Sequence, residues 1–176
     1  MNKEKKKQLL NIARIVAIVL PLYVVLKGIL VLSVLILLSL SMSYIINNYG
    51  LRQYGLELVT LVAVLTGVKY GPVPSLILTF ILITYHMLAG GFFAKYVFWV
   101  IPAYTIAGFI SGFFPATAVT ALGLYATLGI NISNTFFTAV TSPGYLFKYL
   151  PFAVTNVIFN VILFAVAARP LLLLMI

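Results

Sequence analysis

Two carboxylates, Glu4 and Glu57, are all that this 176-residue chain contains, together with one histidine, His86, and no cysteine or aspartate. That inventory excludes most covalent chemistry. Paired-carboxylate hydrolysis and metal-assisted transfer each need at least two placed acids, and Glu4 sits in a tail among Lys3, Lys5, Lys6 and Lys7. A Ser-His-Asp triad, an intramembrane aspartyl dyad and a His or Cys metal cluster all lack members. No Gly-x-x-x-x-Gly-Lys-Ser/Thr loop cradles a phosphate, so any use of ATP belongs to another chain. The sequence therefore reads as a non-enzyme with no metal site and no cofactor. Zero cysteines also excludes disulfides.

What remains suits binding. Glu57 opens a short apolar run, where a carboxylate either complements a helix N-terminus or serves a ligand. His86 stands near the end of its run, close to Ala89-Gly90-Gly91, as a structural histidine or a ligand contact. Lys95, Trp99, Asn131 and Asn134 fall near the same membrane face as these two, because alternate loops share a side. The six form the candidate ligand-binding set, although Trp and Tyr at that level also fit an aromatic belt. Asn156 and Asn160, four residues apart, share one helix face and call for interhelical hydrogen bonds.

The elements that must position them are apolar helices. Hydrophobic residues make up 64% of the chain and charged ones 7%, with a mean hydropathy of +1.19, more than a water-soluble core absorbs. The fold class expected is an all-α integral membrane protein. Gly, Pro, Asn and isolated charges divide the sequence into seven apolar runs. The first, Leu9 to Leu26, ends at Lys27-Gly28. Ile29 to Ile46 follows and is the cleanest span, then Leu56 to Tyr70, and, after the turn Gly71-Pro72-Val73-Pro74, Ser75 to Leu88. Tyr96 to Phe114 contains Pro102, Ala116 to Val140 is interrupted at Asn131-Ile132-Ser133-Asn134, and Leu150 to Ala168 is closed by Arg169-Pro170. The runs at 56–70 and 75–88 are short, since about 15 residues give roughly 22 Å against a hydrocarbon core of about 30 Å.

This predicts a compact bundle of six core transmembrane helices over 29–170, a basic N-terminus with an extra helix over 1–28, and an apolar tail over 171–176. The extra helix is either interfacial or a seventh span. No small-residue cleavage site follows it, so a cleaved signal peptide is not expected.

The net charge of +9 suggests a nucleic-acid binder only if its distribution is ignored. Lys3, Lys5, Lys6 and Lys7 precede the first apolar run, which fits a cytoplasmic, positive-inside N-terminus against anionic lipid; nucleic acid is not an expected partner. An interfacial first run leaves Arg52, Lys95 and Lys148 outside; a spanning one leaves Lys27, Lys69 and Arg169 outside. Both topologies place eight cations inside and three outside. The location expected is the cell membrane, multi-pass.

In lipid, helices approach closely through small residues. Ala13 and Ala17, Ser39 and Ser43, Gly67 and Gly71, Ala103 with Ala107, and Gly108 with Gly112 repeat at i and i+4. They serve either internal packing or docking of a partner subunit.

From Ile29 onward the chain resembles the substrate-binding S component of energy-coupling-factor (ECF) transporters. The resemblance is carried by Leu58-Val59-Thr60-Leu61-Val62-Ala63 through Gly67, the turn Tyr70-Gly71-Pro72-Val73-Pro74, the Ala89-Gly90-Gly91 loop, Pro102-Ala103-Tyr104 with Gly108 and Gly112, and Leu150-Pro151-Phe152 opening a last helix that ends at Arg169-Pro170. It implies a six-helix bundle that captures a vitamin-like small molecule from outside, under a loop between the first two core helices. It implies docking on a transmembrane coupling subunit driven by two ATPases. The chain departs from that pattern in its docking signature: Ala13 and Ala17 lie in the extra run, and the matching core helix offers Ser39 and Ser43. The rival expectation is a non-catalytic structural subunit of a larger membrane complex, such as a rod-shape scaffold. A binder gathers its polar groups in one externally open cavity; a scaffold buries its small-residue stripes against partner chains.

Overall fold

The computed structural model describes the backbone of residues 3–91 and 95–175 and the side chains of residues 13–91 and 95–175. Among these, every regular element is helical. The first, α1, runs unbroken from Lys3 to Asn48, 46 residues or about 69 Å at 1.5 Å per residue. The boundary expected at Lys27-Gly28 is therefore absent from the backbone, and the helix makes no reversal there of the kind a separate antiparallel span needs. Gly28 serves packing rather than termination: a Cβ at this position would come 2.7 Å from the Met175 carbonyl oxygen and 3.0 Å from the Tyr70 hydroxyl. The two halves differ in their surroundings instead. From Ala13 to Leu26 nearly every side chain is exposed, whereas Leu35, Ser39, Ser43, Ile46 and Asn47 are buried.

Helix α2, Val59–Tyr70, is the centre of the molecule. Nine consecutive residues, Val59 to Gly67, are buried, which is possible only for a segment apolar on all sides and surrounded by other helices. It packs on α1, on α3 (Pro72–Ala89), α4 (Val97–Ser111) and α5 (Val119–Thr141), and on α6 (Leu146–Leu163) and α7 (Arg169–Met175). Its end is fixed by Gly71, at φ 94° and ψ 177°, followed by Pro72 in the first turn of α3. Glycine adopts that φ without a Cβ clash, and proline lacks an N–H that the first turn would leave unpaired. The reversal is so tight that α3 begins at Pro72 rather than Ser75, giving it 18 residues, about 27 Å, instead of the short run expected.

The small-residue stripes resolve into internal contacts. Gly67 faces the Gly108 carbonyl and Ser111, Gly108 faces Ser75 and Thr79, and Gly112 faces the Gly71-Pro72 turn. These contacts draw α2, α3 and α4 together. Ala103 and Ala107 pack at the edge of the same core, and Ser39 and Ser43 are buried. Ala13 and Ala17 are exposed.

Two expected breaks do not occur. Helix α5 passes straight through Asn131-Ile132-Ser133-Asn134, because Asn131 and Asn134 turn inward and are buried. Asn131 Nδ2 donates to the Thr127 carbonyl one turn back (2.9 Å), which has a second lone pair beside its helix bond, and to α6, so its amide is satisfied without breaking the helix. The second is Arg169-Pro170. Here the chain widens into a π-helical turn, Phe164–Ala168, and continues as α7. A proline clashes with the carbonyl four residues back in a regular helix, and the wider turn just before it relieves that clash. Leu172 and Met175, placed in a tail by sequence, are buried in the core. Phe164, fully buried, lies where the side chain of residue 123 would stand, so Gly123 makes room for it.

The outer surface is as apolar as the inside: Leu37, Phe80, Ile106, Ile132 and Ile158 are among many large hydrophobics at least half exposed. Four helical stretches, Ala13–Asn48, Pro72–Ala89, Ala116–Thr141 and Pro143–Met175, are long and apolar enough to cross a membrane, while α2 and α4 are shorter. The described chain has the build of an all-helical, membrane-embedded protein, with its polar side chains turned to the interior.

Candidate functional site

Five helices present their ends together: the C-terminal ends of α1, α3 and α5, and the N-terminal ends of α4 and α6. With the connection between α1 and α2 they enclose a partly open cavity of about 760 Å³. That is within the usual 300–1,000 Å³ range of small-molecule sites.

Outside the cavity lining, a buried polar network begins at Glu57. Its carboxylate accepts from the Thr60 backbone N–H (2.8 Å) and from the Thr60 hydroxyl, in the first turn of α2. It thereby caps that helix and complements its positive end. Asn160 Nδ2 donates to the same carboxylate at 3.3 Å. One turn earlier, Asn156 Nδ2 donates to the Gly55 carbonyl (2.6 Å), and its Oδ1 accepts from Asn131 Nδ2 (2.7 Å). The Asn156 and Asn160 face expected from their spacing is thus the strut that holds the α1–α2 connection against α5 and α6. Gly55 sits at φ 56°, and a Cβ there would lie 2.5 Å from the Phe152 carbonyl and 2.7 Å from Asn156 Cβ, so only glycine lets the connection come so close. Burial pushes the Glu57 carboxyl above its ordinary value of 4.5, against the lowering effect of the hydrogen bonds from Thr60 and Asn160.

The walls are tied by backbone carbonyls. Asn47 Nδ2 donates to the Ser43 carbonyl (2.8 Å) and across to the His86 carbonyl (3.1 Å), joining α1 to α3. His86 Nδ1 and Ser43 Oγ share a 2.9 Å hydrogen bond. Arg52 Nη2 donates to the Asn47 carbonyl (3.0 Å) at the end of α1, and Lys95 Nζ to the Thr141 carbonyl (3.1 Å) at the end of α5. Both cations complement the negative ends of helices. Trp99 stacks on Phe137 with centroids 5.9 Å apart and meets Tyr96 edge-on at 5.4 Å. Tyr149 stacks on Phe152 at 5.4 Å.

Of the six residues proposed from sequence, His86, Lys95, Trp99 and Asn134 line the cavity. Glu57 and Asn131 do not. They lie in the neighbouring polar network, where Glu57 takes the helix-capping role that its sequence position left open and Asn131 the interhelical hydrogen bond that the sequence did not suggest. Sequence reading overlooked Arg52, Tyr104, Lys148, Tyr149 and Phe152, all of which line the cavity. A signal for two of them existed, since the loop-charge count groups Arg52 and Lys148 with Lys95 in either topology.

Among the side chains of the lining residues, Trp99 Nε1 and Asn134 Oδ1 lack hydrogen-bond partners. Trp99 and Asn134 are 8% and 3% exposed. Polar atoms at that depth ordinarily have partners, and leaving one without costs about 1–3 kcal/mol. Asn134→Leu should therefore leave thermal stability in detergent unchanged or raise it, while lowering the affinity for anything bound in the cavity at least about fivefold. Parallel melting curves and ligand titrations check this; a loss of stability comparable to that of a core cavity mutant would show that the amide is structural. Searches of protein-family models, curated proteins and solved structures returned no match to this chain.

Proposed function

We propose that the protein is a multi-pass, membrane-embedded small-molecule-binding subunit of an uptake system of the ECF type. Its core comprises six helices: the C-terminal half of α1, α2, α3, α4, α5, and α6 continued by α7. The observation that carries this reading is the cavity of about 760 Å³, built from five helix ends and lined by polar, cationic and aromatic residues that include Arg52, His86, Lys95, Trp99, Asn134 and Lys148. A scaffold packed against partner chains has no use for an open space of that size and lining. The basic residues at the start of α1, Lys3, Lys5, Lys6 and Lys7, favour a cytoplasmic N-terminus. A continuous α1 then puts the cavity, at its other end, on the outside, where an uptake protein meets its ligand. The chain supplies no phosphate-binding loop, so coupling to ATP falls to separate subunits.

The rival reading, a structural subunit of a larger assembly, draws on the exposed apolar half of α1 from Ala13 to Leu26. Native mass spectrometry of the protein purified in mild detergent separates the two. The binding reading expects a retained small molecule and, in the intact complex, an integral coupling subunit with ATPases. Stable integral partners without ATPases, and no retained small molecule, would overturn it.

A further inference from the structure

We infer that the cavity takes a planar organic anion: one negatively charged group on a flat, largely apolar body. This rests on the reading of the cavity as a ligand site and specifies its chemistry. Arg52, Lys95 and Lys148 all line the cavity, and no carboxylate does. The nearest acid in the sequence, Glu57, is 2% exposed and turned to Thr60 and Asn160, outside the cavity lining. Three like charges round one low-dielectric opening repel each other and concentrate a field that attracts anions and excludes cations. Their position is also costly on other grounds. In the proposed topology this is the outer face, where Lys and Arg are ordinarily depleted, so their convergence needs a reason.

Beside the cations the lining is aromatic. Tyr96, Trp99, Tyr104, Tyr149 and Phe152 all line the cavity and Tyr149 stacks on Phe152, side chains of the kind against which another ring packs. A sugar finds little to bond on such walls, whereas a fused or single ring bearing a carboxylate is matched by the rings and by the cations.

Trp99 is the sole tryptophan, so its emission reports on the cavity directly. The full-length protein in an uncharged detergent is titrated with naphthoate, naphthamide and naphthylmethylamine, which share a ring system and differ in charge. The expected result is saturable quenching by naphthoate, at least about tenfold tighter than by either analogue and weakening as salt is raised. Lys148→Gln is the cleanest variant, because Lys148 is exposed and stands over the Tyr145 ring at 5.6 Å without capping a helix. It should weaken naphthoate about tenfold and leave naphthamide unchanged. Equal quenching by all three probes, or an unchanged naphthoate affinity in Lys148→Gln, would overturn the anion inference and leave the binding reading standing. The same holds if mass spectrometry finds a neutral, cationic or phospholipid ligand retained. No saturable quenching by any probe, with nothing retained, would overturn both.

Discussion

Gly112→Ala is expected to lower the thermal midpoint of the detergent-solubilised protein by about 5–10 °C, corresponding to about 2–3 kcal/mol of overpacking. A single Cβ at this position would stand 2.3 Å from the Pro72 nitrogen, 2.5 Å from its Cα and 2.7 Å from the Gly71 carbonyl carbon. All three are backbone atoms of the turn between α2 and α3, so no side chain can rotate away. The helices must separate, and the same junction includes Gly67 against the Gly108 carbonyl. Packing at close approach is the main attraction between helices in lipid, where apolar burial brings no advantage over hydrocarbon. Gly129→Ala is the matched control. It lies in α5 with nothing within 4 Å of its would-be Cβ, so alanine's better helix propensity should leave stability equal or slightly higher. Equal losses in both variants would show that the α2–α3–α4 junction is not the tight point described.

Asn156→Leu should have the second large effect, and on two observables at once. Leucine keeps the branched shape but strands the Gly55 carbonyl and the Asn131 amide, each of which loses its link to α6. Interhelical hydrogen bonds in membranes average about 0.6 kcal/mol and reach about 1.7, so two lost together should cost about 1–3 kcal/mol. Binding should suffer more. The connection that Asn156 holds down carries Arg52, Gln53 and Leu56, all in the cavity wall. Once it is released, the affinity read by Trp99 emission should fall at least tenfold, although residue 156 does not line the cavity. A variant with lowered stability and unchanged affinity would show that the strut supports the fold alone. Asn134→Leu makes the opposite pair, with affinity lost and stability kept, and comparing the two separates a supporting amide from a ligand-facing one.

The difference between those asparagines shows how far one sequence can be read. Asn156 and Asn160 were legible as a pair, because helical periodicity puts residues four apart on one face and amides in lipid need partners. Asn131 and Asn134 read as a break, because Asn-x-Ser-Asn is loop-like in composition. Burial reversed that reading: an inward amide can bond the carbonyl one turn back and a neighbouring helix, and so stays within α5. Arg169-Pro170 misled for a similar reason. Local propensity ends a helix at proline, but a π-turn backed by a buried Phe164 and the docking of Leu172 and Met175 carry it onward. Lys27-Gly28 marked a boundary by composition, whereas the glycine is spent on contact with Met175 and Tyr70.

Composition alone pointed to the environment and narrowed the chemistry to look for. So few charges and so much apolar surface fit lipid, and a chain with two carboxylates, one histidine and no thiol has few ways to make or break bonds. Charge counting placed Arg52, Lys95 and Lys148 on one side. Only tertiary structure decided that they meet round one cavity with Trp99, Tyr149 and Asn134, while Glu57, the most conspicuous residue in the sequence, is turned away to cap α2. The physical reason is that periodicity fixes which residues share a helix face or a membrane side, but not which faces meet. That depends on where glycines permit contact, and those distances exist only once the helices are packed.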